Sequence, residues 1–270
     1  MPHPNCQRSS LVNAWLFLLP ALVLCLIGCR PAVEQAADQT TEEEFQVDPT
    51  ASLSVRNTDG SVIIHGSDSP KLKLRTVKKA RSAERLRAIA VNVTAEPVAV
   101  SITTNLRREK NKAFSANAGT VDYEITAPRT LSISRLDLAS GKVRIDGMRG
   151  ETIRASVVDG ELAVHNCFGN VDLDVGNGEI DVSCDPGKYE RFFLNAQIIH
   201  GNFRLSLPRD APFHIKAETS NGKLINDFAD MVELNRGGSG KIDVSQGRVP
   251  RSEIKIRVVT GDIKIARTPP

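Results

Sequence analysis

Aromatic side chains are scarce in this chain: nine Phe, two Tyr and one Trp among 270 residues. So few rings argue against a base-stacking surface and against a broad aromatic-lined sugar cleft. A charge excess is lacking too, since 35 Lys and Arg stand against 32 Asp and Glu, a formal net charge of +3. That balance excludes a disordered acidic polymer or a strongly basic nucleic-acid binder as a description of the whole chain. Cysteines number five, with no C-x-x-C and no paired histidines, so a tetrahedral zinc site has no ligand set. No nucleophile signature and no phosphate-binding glycine loop is present, and no cofactor is expected. What the chain does have is glycine in an uneven distribution: 15 of 19 fall between Gly141 and Gly261.

The N-terminus reads as an export signal. A polar start carrying Arg8 leads into an apolar run, Leu11–Ile27, that stops at Leu26-Ile27-Gly28-Cys29. The run is short for a membrane span and suits a signal peptide over residues 1–28. Leu-Ile-Gly-Cys resembles the lipobox of bacterial lipoproteins. That resemblance implies cleavage before Cys29 and acylation of Cys29, an anchor that gains about 0.8 kcal/mol per buried CH₂. Arg30 follows, without the aspartate associated with inner-membrane retention, so the outer membrane is favoured in a cell with two. Cleavage removes Cys6, Cys25 and Arg8, and the net charge falls to +2. Residues 29–50 are then the lipidated cysteine and a flexible tether, rich in Ala, Gln, Thr and Glu, with a reach of roughly 25 Å.

From Ala51 the chain is short strands punctuated by glycine. Asn57-Thr58-Asp59-Gly60 between two apolar-alternating stretches reads as a hairpin-like turn. Ser82–Ala90 is the best helix candidate, with Ser82 as N-cap. Residues 51–135 form the N-terminal part or cap of the β domain, and 136–268 form its repeats. In the second part the units GKVRIDG, GELAVHN, GEIDVSC, GNFRLSL, GKLINDF, GKIDVSQ and GDIKIAR open at Gly141, Gly160, Gly178, Gly201, Gly222, Gly240 and Gly261, a step near 20 residues. Gly150 and Gly169 form an interleaved series. Within each unit apolar residues alternate, as in Val143/Ile145, Leu162/Val164 and Ile180/Val182, which places one set inward. A two-stranded turn cannot bury that set alone, whereas stacked turns can. The expectation is an all-β, β-solenoid-like repeat domain, the alternative a twisted antiparallel β-sandwich.

Stacking the repeats puts Asp146, His165 and Ser183 in one outward column, which reads as a polar ladder more readily than as a triad lacking a pocket and oxyanion site. Arg154 faces Asp172 on the neighbouring rung, and Ser156 faces Asp174. Asp172 and Asp174 share a face, a spacing that would suit a cation or a glycosidase-type pair. No metal site is assigned. Cys167 and Cys184 fall about 6 Å apart in this alignment, so a disulfide and two thiols both remain open. Residues 71–112 hold twelve Lys and Arg against three acids. Lys71, Lys73, Arg75, Lys78, Lys79, Arg81, Arg85, Arg87, Arg107 and Arg108 therefore stand as a candidate surface for anionic envelope polymers or headgroups, or as a solvated cap.

The stretch VDYEITAPRTLSISRLDLASGKVRIDGMRG and the glycine-punctuated units after it resemble the bacterial putative-adhesin repeat family, a domain of unknown function, over roughly residues 52–266. The resemblance implies an exported or membrane-attached all-β repeat domain and carries no catalytic signature. The expected protein is a lipid-anchored lipoprotein of the cell envelope, facing periplasm or cell surface. Its partners would be the membrane and other envelope proteins or anionic envelope polymers, with no nucleic acid. The expected role is non-catalytic scaffolding or adhesion-like binding. The alternatives are a carbohydrate-active enzyme on a β-helix scaffold and an envelope sensor or regulatory partner.

Overall fold

The structure, a computed structural model, describes residues 36–106, 119–184, 191–228, 239–247 and 252–268. In chain order the elements are β1 (Ala37–Gln46), β2 (Ser52–Ser67), β3 (Lys71–Ala80), helix α1 (Ala83–Ala88), β4 (Ile89–Glu96), β5 (Ala99–Leu106), β6 (Thr120–Pro128), β7 (Ser132–Asp146) and β8 (Thr152–His165). They continue as β9 (Gly169–Ser183), β10 (Phe192–Leu207), β11 (Phe213–Asn221), β12 (Leu224–Asn226), β13 (Gly240–Gln246), β14 (Ser252–Thr260) and β15 (Ile263–Arg267). The expected short helix is present, and the Ser82 side chain accepts a hydrogen bond from the Arg85 amide as an N-cap should.

Strands β2, β7, β8, β9 and β10 are 14–16 residues long and lie parallel, β2 on β7, then β8, β9 and β10. Each carries a glycine near its middle: Gly60, Gly141, Gly160, Gly178 and Gly201, at φ from +126° to +145°. Such φ values are open to glycine and closed to most L-residues. The glycine divides each strand into two limbs with different neighbours at the stack's start. Ser52–Arg56 pairs with β5, whereas Val62–Ser67 pairs with β6. The glycines themselves are in register from Gly60 to Gly201. Parallel pairing selects the solenoid-like stack and overturns the antiparallel sandwich.

Alternation does the rest. Val143, Leu162, Ile180 and Phe203 are register partners and buried, as are Ile145, Val164, Val182 and Leu205. Each apolar side chain rests on its equivalent one rung away, so the core is a continuous column of mostly β-branched and Leu side chains, with rings such as Phe203 among them. At the N-terminal end a buried polar knot joins three elements. The Thr104 hydroxyl lies 2.8 Å from Asn57 Oδ1 and 2.7 Å from the Tyr123 hydroxyl, and Asn57 Nδ2 donates to the Val121 carbonyl at 2.7 Å.

Three expectations are corrected, and the order of stacking is a further finding. Asn57-Thr58-Asp59-Gly60 is a corner inside the continuous strand β2, because its two flanks turn onto different neighbours instead of onto each other. The division at 135/136 falls within β7, and β2 is already a rung of the stack. The flexible tether of 29–50 is strand from Ala37 to Gln46, paired antiparallel with β3 over ten residues. Finally, the rungs do not follow chain order. β14 lies between β10 and β11, parallel to both, and β15 lies between β10 and β12. The Gly261 unit therefore stacks on Gly201, Gly222 stacks on Gly261, and Gly240 opens an antiparallel strand, β13, on β11.

Candidate binding surface

With alternate residues committed to the core, the remaining side chains form outward rows that run across the rungs. One row contains the column Asp146, His165 and Ser183, in the expected register. The fold adds His65 on its other side, because β2 is the neighbour of β7, with His65 and Asp146 register partners 81 residues apart in the chain. Asp146 thus lies between two imidazoles, 3.5 Å from His65 Nδ1 and 3.3 Å from His165 Nδ1, and Arg144 Nε donates to it at 2.7 Å. His165 Nε2 is 3.9 Å from Asp181. Asp146 holds the Arg144 guanidinium above its ordinary value by hydrogen bonding and charge. Ser183 pairs with His165 through the backbone register, and no ordered Ser–His–Asp relay is built. This is a charge-paired ladder.

Asp172 and Asp174 lie on the outer face of the first limbs. Asp172 is 3.5 Å from Arg154 Nε and accepts from Asn195 at 3.4 Å. Partial burial raises the Asp174 carboxyl above its ordinary range, and the charge of Asp172 adds to that. Their surroundings are an open furrow lined by Arg135, Asp137, Arg154, Ser156 and Asn195. Among the described residues no group of three or more His, Cys, Asp or Glu is arranged to hold a metal ion.

The most strongly built surface is the β1–β3–β6 face, and it changes how the basic cluster reads. β3 alternates buried Leu72, Leu74 and Thr76 with outward Lys71, Lys73 and Arg75, and Lys79 continues the outward row. Along its edge β1 aligns Asp38 with Lys79, Glu42 with Arg75, Glu44 with Lys73 and Gln46 with Lys71. Glu44 binds Lys71 and sits 3.8 Å from Lys73, and Glu42 is 3.5 Å from Arg75. From the other side β6 brings Glu124 to 3.4 Å from Arg75 and Asp122 to 2.8 Å from Lys79. The hydrogen bond from Lys71 holds the Glu44 carboxyl below its ordinary value. Burial pushes the Asp122 carboxyl up, but hydrogen bonds from Lys79 and Ser61 outweigh it and the net shift is downward.

The cations of β3 are therefore not an open patch, because the acidic stretch read as tether is laid against them. The sequence signal was there. Acids at Glu42 and Glu44 match the two-residue spacing of Lys71, Lys73 and Arg75. Arg81, Arg85 and Arg87 lie in or beside α1 and Lys78 donates to the Ile89 carbonyl at 3.4 Å, while Arg107 and Arg108 lie outside the described residues. So does Cys29.

Cys167 and Cys184 are both buried thiols and no disulfide joins them. Cys167 Sγ is directed at the carbonyls of Ile145 and His165, at 3.5 and 3.3 Å. Burial pushes this thiol up to about 12.

The sequence profile of the Toastrack DUF4097 family matches residues 46–266. Among solved structures, a putative cell adhesion protein from Clostridium sporogenes superposes with a TM-score of 0.52 at 18% identity, covering 85% of this chain and 100% of its own. That likeness is one of fold. A putative adhesin from Bacteroides fragilis (10% identity, 84% and 97% covered, TM-score 0.28) also matches. So does a putative lipid binding protein from Parabacteroides distasonis (7%, 85% and 97%, 0.31). Both superpose too loosely to carry an argument. Among curated proteins no sequence matches the chain.

Proposed function

The chain belongs to the Toastrack DUF4097 family, and we propose that it is an adhesin-like, non-catalytic binding or scaffolding module of the cell envelope, held at a membrane by acylated Cys29. The observation that carries this reading is the construction of the outer surface. Parallel rungs with a side-chain-filled core present long rows of polar residues that pair with one another from rung to rung, as in Arg154–Asp172, Lys142–Glu161 and Arg257–Glu218. A rigid face of this kind suits recognition of an extended surface. The Leu-Ile-Gly-Cys stop supports export and anchoring. Among the described residues no helix is long and apolar enough to cross a membrane. The domain then faces periplasm or cell surface.

Mass spectrometry of the mature N-terminus tests the anchor. The expected species begins at Cys29 and carries acyl chains, and the Cys29→Ala variant leaves the membrane fraction. An unmodified chain that begins elsewhere defeats the proposal. For the binding role, wild-type protein should be retained by purified envelope fractions above a variant with Arg154, Arg257 and Lys142 changed to Gln. Equal retention removes the outer rows from the account.

A further inference from the structure

We infer that the outer row of β3 is a docking strip for the anionic headgroups of the membrane, kept shut in cis by β1. This rests on the anchored reading above. Strand β1 is almost wholly exposed along its length. Phe45 packs against the core and the strand touches α1. Beyond that it is held by its backbone ladder to β3 and by exposed ion pairs such as Glu42–Arg75, Glu44–Lys71 and Glu44–Lys73. Exposed ion pairs of this kind are weakened by salt and by competing charge.

The chain just after β1 is fixed by contrast. Val47 is buried, its amide and that of Asp48 donate to the Pro70 and Pro97 carbonyls, and Asp48 caps Thr50 at 2.8 and 2.6 Å. Release therefore stops at a defined boundary, and residues 37–46 come away as a unit. When they do, Asp38, Glu42 and Glu44 leave the row. Among the described residues, the acids left paired with this row are then Glu124, on Arg75, and Asp122, on Lys79. The strip turns from balanced to positive.

The occupant follows from chain length. Ala37 is eight residues from Cys29, so the start of β1 stays within about 28 Å of an acylated Cys29. An anionic bilayer is thus the polyanion always within reach, and each Lys or Arg drawn to such a surface gains about fivefold in preference. Opening also adds ten residues of extended chain, about 34 Å, to the leash.

The test uses full-length wild-type protein from the membrane fraction, placed in phosphatidylcholine vesicles with and without phosphatidylglycerol. Hydrogen exchange is followed in residues 37–46, with β7–β10 as the internal control of fold. The expected result is exchange in 37–46 at least about tenfold faster on phosphatidylglycerol, with β7–β10 unchanged. In Glu42→Gln/Glu44→Gln a smaller phosphatidylglycerol fraction should suffice. In Lys71→Gln/Lys73→Gln/Arg75→Gln the lipid dependence should vanish. Equal exchange on both vesicle types, or a lipid effect that survives the triple substitution, overturns the inference. Failure of the protein to float with phosphatidylcholine alone counts against the acyl anchor. The docking strip is then read from flotation with phosphatidylglycerol, wild type against the triple variant.

Discussion

The main chain of Gly141 runs so close to Gly60 that a Cβ on Gly141 would lie 1.8 Å from the Gly60 carbonyl oxygen. The same approach recurs between Gly160 and Gly141, between Gly178 and Gly160, and between Gly261 and Gly201. Each corner is packed against the corner before it, and hydrogen at Cα is the substituent that fits.

Gly141→Ala should therefore cost on the order of 4 kcal/mol, because strain at φ +131° adds to a backbone clash that no rotamer relieves. Gly147 offers the contrast: its φ is +69° but nothing lies within 4 Å of an added Cβ. Gly147→Ala should cost about 1 kcal/mol. Urea unfolding of the two variants side by side checks this. Equal midpoints would show that φ alone, and not the close approach, sets the glycine requirement.

Asp174 carries a charge its surroundings disfavour. Burial raises its carboxyl and the charge of Asp172 adds to the effect. For an acid whose folded value lies above its unfolded one, ionisation opposes folding above the folded value, and the penalty is gone below the unfolded value of about 3.9. Asp174→Asn should thus stabilise the protein at pH 7, by a few tenths of a kcal/mol given the solvent screening. The gain should disappear at pH 3. Thermal unfolding at the two pH values decides it, and a variant less stable at pH 7 would give Asp174 a structural role.

Ser252 sits in register between Phe192 and Phe213, both fully buried, and its hydroxyl has no hydrogen-bond partner among the described residues. Ser252→Ala removes an unmatched polar group and should leave stability unchanged or raise it by about 1 kcal/mol. A clear loss on chemical unfolding would mean that the hydroxyl is satisfied in solution.

Cys167 should be inert in the native state. With burial pushing the thiol up to about 12, its thiolate is a negligible fraction at pH 8. Peptide mapping after iodoacetamide should find Cys167 and Cys184 unmodified in buffer and both modified in urea. Rapid native labelling of Cys167 would show that the β7–β8 edge opens.

Much of this was legible from local pattern. Alternation at Val143/Ile145 and Leu162/Val164 gave strands and their buried faces, because the side-chain period of a strand is two. The repeat from Gly141 to Gly178 gave the register of Arg154 with Asp172 and of Asp146 with His165. Ser82 announced the helix. The acidic run Glu42-Glu43-Glu44 misled, because a charged exposed strand and a solvated linker have the same composition. What separates them is a partner with matching charges thirty residues on.

Composition and spacing by themselves determined that the chain builds short, glycine-cornered strands with a buried apolar face and polar outer rows, since those features follow from residue type and period; that the rungs are parallel came from the structure. Outside the Gly141–Gly178 run, which rung sits beside which was decided by tertiary structure alone. Gly201, Gly222 and Gly261 carry equivalent corner signals, and any of the three can stack on another without offending the local pattern. The structure inserts β14 and β15 between β10 and the pair β11–β12. It pairs β2 with β7 across the length of β3–β6, and so brings His65 to Asp146, and it lays β1 along β3 beside that strand's cations. Periodicity fixes what each rung looks like; the order of stacking depends on long-range contacts that a periodic sequence does not distinguish.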